Sequence, residues 1–123
     1  MILVDTSIWI DHLHQSDASL SELLHEAQVC AHPMVIGELA LGSLRDRQTF
    51  LGLLADLPST PVATHAEVLA FVDSNVLYGI GLSLVDAHLL AALRLSPADR
   101  LWTRDQRLGM AADKLGVSAD LST

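Results

Sequence analysis

The sequence predicts an α/β fold with three layers, in which a mostly parallel central sheet lies between two layers of helices. Short apolar runs that suit buried strands recur along the chain and alternate with stretches of helical periodicity. Strands that alternate with helices form parallel sheets covered by helices on both faces. The length of 123 residues indicates a single domain, residues 1–123, that can bury a core without disulfides or structural zinc.

The first half of the chain predicts two strands and four helices. Residues 1–4 are apolar and suit a first strand, and residues 29–31 suit a second. His32 and Pro33 start a helix, because proline is well tolerated in a first helical turn. The predicted helices cover residues 6–13, 20–27, 33–42 and 46–57.

The second half predicts short strands and three further helices. Prolines at positions 58 and 61 end the fourth helix, and Ser83 and Asp86 have the spacing of a capping box. Thr103 is expected to cap the last helix. The predicted helices cover residues 66–78, 83–95 and 103–115, and the predicted strands cover residues 62–63, 101–102 and 116–118.

The composition predicts a soluble cytoplasmic protein. Half of the residues are apolar, which argues against a disordered chain, and no segment has the length of a membrane span. The single cysteine, Cys30, suits a reducing compartment. The net charge of −8 would repel nucleic acid, so any nucleic acid must be held locally. The same charge also suits a basic protein partner.

Four acidic residues stand inside or beside apolar runs: Asp5, Glu38, Asp86 and Asp105. A carboxylate that loses its hydration costs several kcal/mol unless it is neutralised, paired with a base or bound to a cation. The chain has only seven Lys and Arg residues, and none lies within the apolar runs around Asp5, Glu38 and Asp86. Because carboxylate oxygen is the preferred ligand of Mg²⁺ and Mn²⁺, these acids predict a divalent-metal site.

Each of these acids also has a purely structural interpretation. Asp5 can cap the helix that follows it, and Asp86 can act only as the capping-box partner of Ser83. Asp105 can stabilise the first turn of a helix, where the helix dipole favours a negative charge. The aliphatic part of the Glu38 side chain can lie along the surface with its carboxylate in water. Asp5 and Asp105 both follow predicted strands, at the sheet edge where ligands bind in such folds, so the joint pattern favours a shared site.

Two arginines flank the last of these acids. Arg104 and Arg107 are candidates for contacting a phosphate backbone, and their structural alternative is a solvated charge on a short helix. His88 is interpreted as a residue that packs or supports the site, since the histidines have no common ligand spacing.

Four segments resemble the motifs of the PIN domain, and more closely those of toxins of the VapC type. They occur in the family's order and span nearly the whole chain. They are residues 4–11 (VDTSIWID), 36–42 (IGELALG), 82–91 (LSLVDAHLLA) and 101–108 (LWTRDQRL).

The resemblance implies an endoribonuclease that uses one or two Mg²⁺ or Mn²⁺ ions and is the toxin of a toxin–antitoxin pair. It also implies a homodimer that a cognate antitoxin inhibits, with a basic segment of the antitoxin reaching the acidic site. The family's acidic quartet matches Asp5, Glu38, Asp86 and Asp105. Its hydroxyl beside the first acid matches Thr6 or Ser7, and a further polar position matches Thr103.

Two other functions fit parts of the sequence. A receiver-like phosphoacceptor domain would need a pair of acids after the first strand and a lysine at the sheet edge, whereas Asp5 stands alone and Lys114 is the only lysine. A non-catalytic binding module would use the acids only to accept a basic partner.

Overall fold

A parallel three-stranded sheet forms the centre of the computed structural model, which describes residues 1–121. The strands are β1 (Ile2–Val4), β2 (Val29–Cys30) and β3 (Arg100–Trp102), in the order β2-β1-β3. Leu3 of β1 is paired with Cys30 on one side and with Leu101 on the other. The predicted α/β class with a parallel sheet is therefore confirmed. Residues 122 and 123 of the predicted domain lie outside the described residues.

Seven helices accompany the sheet within residues 1–121. The helix α6 is the longest, with 12 residues, and no helix in this range is long and apolar enough to cross a membrane. The helices are α1 (Thr6–His14), α2 (Ala18–His25), α3 (Pro33–Ala40), α4 (Arg47–Ala55), α5 (His65–Asn75), α6 (Leu84–Leu95) and α7 (Gln106–Leu115).

The helix starts follow local hydrogen-bonding chemistry. The predicted capping box of α6 is confirmed, because Ser83 and Asp86 each accept a hydrogen bond from the backbone N–H of the other. His32 caps α3 through its side chain, and Pro33 occupies the first helical position as expected. These caps satisfy N–H groups that have no partner inside the helix.

The core is centred on the sheet and on α6. Leu3 and Val4 are fully buried, and every residue from 87 to 93 of α6 is buried. The helix packs against α3, α5 and β3. This packing of residues 87–93 positions the first turn of α6, which includes Asp86, relative to β3.

Three details of the predicted elements need correction. Residues 62–63 form no strand; the chain pairs earlier, with a bridge from Ser59 to Ala31, because it enters the sheet edge directly after Pro58. Thr103 does not cap α7, since Asp105 is the N-cap residue. The last predicted strand is reduced to a single parallel bridge between Ser118 and Leu101.

Candidate active site

Asp5 lies at the carboxyl end of the central strand and is also the N-cap of α1. Its side chain is 6% exposed. Its Oδ1 accepts from the backbone N–H of Thr6 at 2.8 Å, and its Oδ2 accepts from Ser7 Oγ at 3.2 Å and from Thr103 Oγ1 at 2.7 Å. The capping interpretation of Asp5 is thus correct. It is compatible with a functional role, since three donors hold the carboxylate in one orientation.

Thr103 connects Asp5 with Asp105. Its hydroxyl donates to Asp5 Oδ2 and accepts from the backbone N–H of Asp105 at 3.0 Å. The Asp105 carboxylate in turn accepts from the N–H of Leu108 at 2.9 Å. One hydroxyl therefore couples the end of β1 to the segment between β3 and α7.

Glu38 reaches the site from α3. Its Oε1 accepts a hydrogen bond from Thr6 Oγ1 at 2.7 Å. Glu38 and Asp105 are both exposed, which agrees with the structural interpretation in which the Glu38 carboxylate stays in water. Glu38 lies on the open side of α3 and Asp105 precedes a surface helix, so both carboxylates retain hydration.

Asp86 is partly buried in the first turn of α6. Its Oδ2 accepts from the N–H of Ser83 at 3.0 Å. Burial raises the pKa of this carboxyl, and the negative charges of Asp5 and Asp105 raise it further, against the lowering effect of the hydrogen bonds from Ser83. The charges of Asp5 and Asp105 are therefore close enough to act on the Asp86 carboxyl.

We expect the substitution Asp86→Asn to have a more favourable effect on the stability of the metal-free protein at neutral pH than at acidic pH. A raised folded-state pKa means that Asp86 favours folding while it is protonated, and that this contribution is lost as pH rises through the folded pKa. The difference in unfolding free energy, variant minus wild type, should thus be larger at pH 7 than near pH 4. Urea unfolding in EDTA measures it, and a difference independent of pH would contradict the assignment.

The donor set at this edge suits a hard divalent cation. Hard cations prefer carboxylate oxygen, and no Lys or Arg forms an ion pair with any of the four acids within the described chain. Between positions 1 and 121, no three acidic, His or Cys side chains already converge into a metal-binding group. The support for Mg²⁺ therefore comes from the type of donor, since Mg²⁺ prefers carboxylate oxygen and is usually held by one or two carboxylates with water completing its shell.

The two candidate arginines have different surroundings. The Arg104 guanidinium binds Asp11 and Asp17, at 2.7 Å and 2.6 Å. The Arg107 side chain lies over Gly81, where an added Cβ would come within 2.8 Å of its Cδ and Nη1 atoms. Arg107 therefore lies beside the loop that leads into α6, and no ion pair engages it in the described part of the chain.

A surface groove extends away from Glu38 between α1 and the segment after α3. The part beside Glu38 has a volume of about 250 Å³ and is lined by Ile10, Leu13 and Leu44 among others. An adjoining part of about 350 Å³ shares Leu13 and Leu44 and includes Arg45. The groove thus joins an acid of the site to a basic residue.

Sequence reasoning missed two arrangements near the site. His32 and His88 are both buried, with ring centroids 6.2 Å apart, and burial followed by the charge of His88 lowers the pKa of His32 to about 4. The cluster of Arg104 with Asp11 and Asp17 is the second. The position of His32 directly before Pro33 indicates that it can cap α3. No local pattern indicates the contact of His32 with His88 or the pairing of Arg104 with Asp11 and Asp17.

The fold and the site together define a class of protein. The family model of the PIN domain matches residues 2–114, and the chain belongs to that family. The chain is also similar to "Ribonuclease VapC32" of Mycobacterium tuberculosis, in strains CDC 1551 / Oshkosh and ATCC 25618 / H37Rv. Each relative is 52% identical over 118 residues, covering 96% of this chain and 95% of the relative. The resemblance to the VapC type is thereby confirmed.

Proposed function

We propose that this protein is a metal-dependent endoribonuclease that hydrolyses RNA phosphodiesters as the toxin of a toxin–antitoxin pair. The observation that carries the proposal is the hydrogen-bonded set at the carboxyl end of β1, where Thr103 links Asp5 to the backbone of Asp105 and Thr6 binds Glu38. Burial and the nearby charges of Asp5 and Asp105 raise the pKa of Asp86, which agrees with a shared site. The similarity to proteins named as VapC ribonucleases supports the same reaction.

Asp5 and Asp86 are the principal candidates to hold one or two Mg²⁺ or Mn²⁺ ions. Glu38 and Asp105 complete the set of carboxylates or orient water. A bound divalent cation supplies a Lewis acid that lowers the pKa of water and offsets the charge of the scissile phosphate. Thr6, Ser7 and Thr103 keep the carboxylates oriented through their hydrogen bonds.

The RNA strand extends from the acidic site along the groove beside Glu38. Exposed apolar side chains such as Leu13 offer a surface for bases, and Arg45 offers a positive charge to a phosphate at the far end. Arg107 is the candidate phosphate contact on the α7 side of the site. The engagement of Arg104 with two carboxylates favours another role for that residue.

Two protein partners are proposed from the acidic charge of the site and from the family: an antitoxin and a second copy of this chain. An antitoxin with a basic segment would place an arginine among the four acids and so compete with the cation. The homodimer implied by the family would use apolar residues of α4 and α5, where Leu53 is 62% exposed and Leu69 is 49% exposed. Neutralising the acids should weaken antitoxin binding; undiminished affinity would exclude this mode of inhibition.

The reaction is tested by incubating purified protein with single-stranded RNA, transfer RNA and ribosomal RNA fragments. We expect cleavage with Mg²⁺ or Mn²⁺, none with EDTA, and none by Asp86→Asn. Asp113→Asn is the matched control, because it removes the same charge from an exposed position near the end of α7 and should cleave normally. If the wild type neither binds Mn²⁺ in calorimetry nor cleaves any RNA, the acidic binding module becomes the better explanation.

A further inference from the structure

We propose that Arg104 is a positioning residue, which holds Thr103 and Asp105 in place by binding Asp11 and Asp17. The proposal deepens the proposed function and rests on it, because the expected consequence is stronger cation binding at the acidic site. The carboxylates that the Arg104 guanidinium binds, Asp11 and Asp17, are not among the four acids of that site.

The Arg104 guanidinium joins three elements. Nη1 donates to Asp11 Oδ2 of α1 at 2.7 Å, and Nη2 donates to Asp17 Oδ2 at 2.6 Å. Asp17 is itself the N-cap of α2, since its Oδ1 accepts from the N–H of Leu20 at 3.0 Å. The same guanidinium lies over the Trp102 ring, with Cζ 5.6 Å from the ring centroid. The segment after β3 is thus tied to α1 and to the start of α2.

The geometry of the pairs makes this tie more specific than a typical surface ion pair. The hydrogen bond and the positive charge of Arg104 help to lower the pKa of Asp17, after the larger effect of the Leu20 N–H. The bond with Asp17, followed by that with Asp11, raises the pKa of Arg104. Two separate nitrogens bind two carboxylates, so the planar guanidinium is fixed in direction, which a single lysine ammonium does not achieve.

The position of Arg104 in the chain links this tie to the site. It stands between Thr103, whose hydroxyl donates to Asp5 at 2.7 Å, and Asp105, whose N–H donates to that hydroxyl at 3.0 Å. These two bonds require the backbone of the segment to keep its path past Asp5. The Arg104 side chain anchors the same segment to α1 and to the start of α2.

This arrangement also argues against Arg104 as a direct RNA contact. A phosphate would have to compete with two carboxylates that already bind both terminal nitrogens at short distance. Arg107 has no such competitor in the described residues, so it remains the candidate for that contact.

The test compares Arg104→Gln, Arg104→Lys and the control Arg100→Gln. Arg100 lies at the opposite end of β3, where its guanidinium donates to the carbonyls of Pro97 and Asp99, and its loss changes the charge equally. Mn²⁺ affinity is measured by calorimetry without RNA, and kcat and KM are measured with RNA. Hydrogen exchange of the Asp105 amide reports the position of the segment without metal or substrate.

We expect Arg104→Gln to bind Mn²⁺ about 10-fold more weakly, since losing support of a ligand costs about 10–100-fold. Charge alone predicts the reverse, because removing a cation beside an acidic site should strengthen cation binding. The Asp105 amide should exchange faster, kcat should fall more than KM rises, and Arg104→Lys should recover part of the loss. Arg100→Gln should leave all these values unchanged.

The double variant Asp11→Asn, Asp17→Asn separates positioning from RNA contact. Positioning predicts faster Asp105 exchange and lower kcat, whereas a direct RNA contact predicts a freed Arg104 and a lower KM. Unchanged Mn²⁺ affinity and unchanged Asp105 exchange in Arg104→Gln would overturn the proposal. If the wild type neither binds Mn²⁺ nor cleaves RNA, the proposed function fails, and Asp105 exchange alone still decides whether Arg104 positions the segment.

Discussion

Asp5→Asn should reduce RNA cleavage by more than about 100-fold while the protein stays folded. Losing the support of a metal ligand costs about 10–100-fold, and Asp5 is itself the group that Ser7 and Thr103 support. The substitution removes the negative charge that a cation would bind. It also turns one acceptor oxygen into an amide donor, which faces hydroxyl groups that have until then donated to it.

The fold should tolerate this change because asparagine is as good an N-cap as aspartate. One side-chain oxygen can still accept from the N–H of Thr6, so the loss of stability should stay near 1 kcal/mol, the usual worth of a hydrogen bond. Cleavage rates, Mn²⁺ calorimetry and urea unfolding measure the three effects separately. Thr103→Val should show a smaller loss of cleavage, and Asp113→Asn none. Cleavage by Asp5→Asn at the wild-type rate would remove Asp5 from the proposed site.

Acid should destabilise the protein through His32, by about 3 kcal/mol between pH 6.5 and pH 4. Burial, followed by the charge of His88, lowers the pKa of this imidazole from 6.5 to about 4. The folded state therefore binds fewer protons than the unfolded state in this range, and stability falls as pH falls. Protonation also removes the acceptor that caps α3, because His32 Nδ1 accepts from the N–H of Met34 at 3.0 Å.

The variant His32→Asn isolates this effect. Asparagine keeps a side-chain acceptor for the cap but does not titrate, so the unfolding free energy should depend less on pH even if the variant is less stable at pH 7. His65→Asn is the control, since His65 is exposed at the start of α5. Urea unfolding at several pH values gives the slopes. Equal slopes for wild type and His32→Asn between pH 6.5 and pH 4 would show that His32 is not the responsible group.

Local patterns were enough to predict most elements of the fold. The alternation of apolar runs with helical periodicity predicted the parallel sheet, and the spacing of Ser83 and Asp86 predicted the capping box of α6. These features depend on residues a few positions apart, so the sequence displays them directly. The pairing near Pro58 was misplaced by a few residues because sheet pairing at an edge depends on where β2 ends and not on the local pattern.

Residue types and their order were enough to predict the fold class and the family, and they also predicted that the four acids share a site. The hydrogen bonds that hold these acids became visible only in the folded chain. Thr103 meets Asp5 across 98 positions, and Arg104 meets Asp11 across 93. Such contacts arise when β1 and β3 lie side by side and α1 packs beside them, which no periodicity encodes. The exposure of Glu38 likewise depends on tertiary packing, because Glu38 lies on the side of α3 that faces solvent.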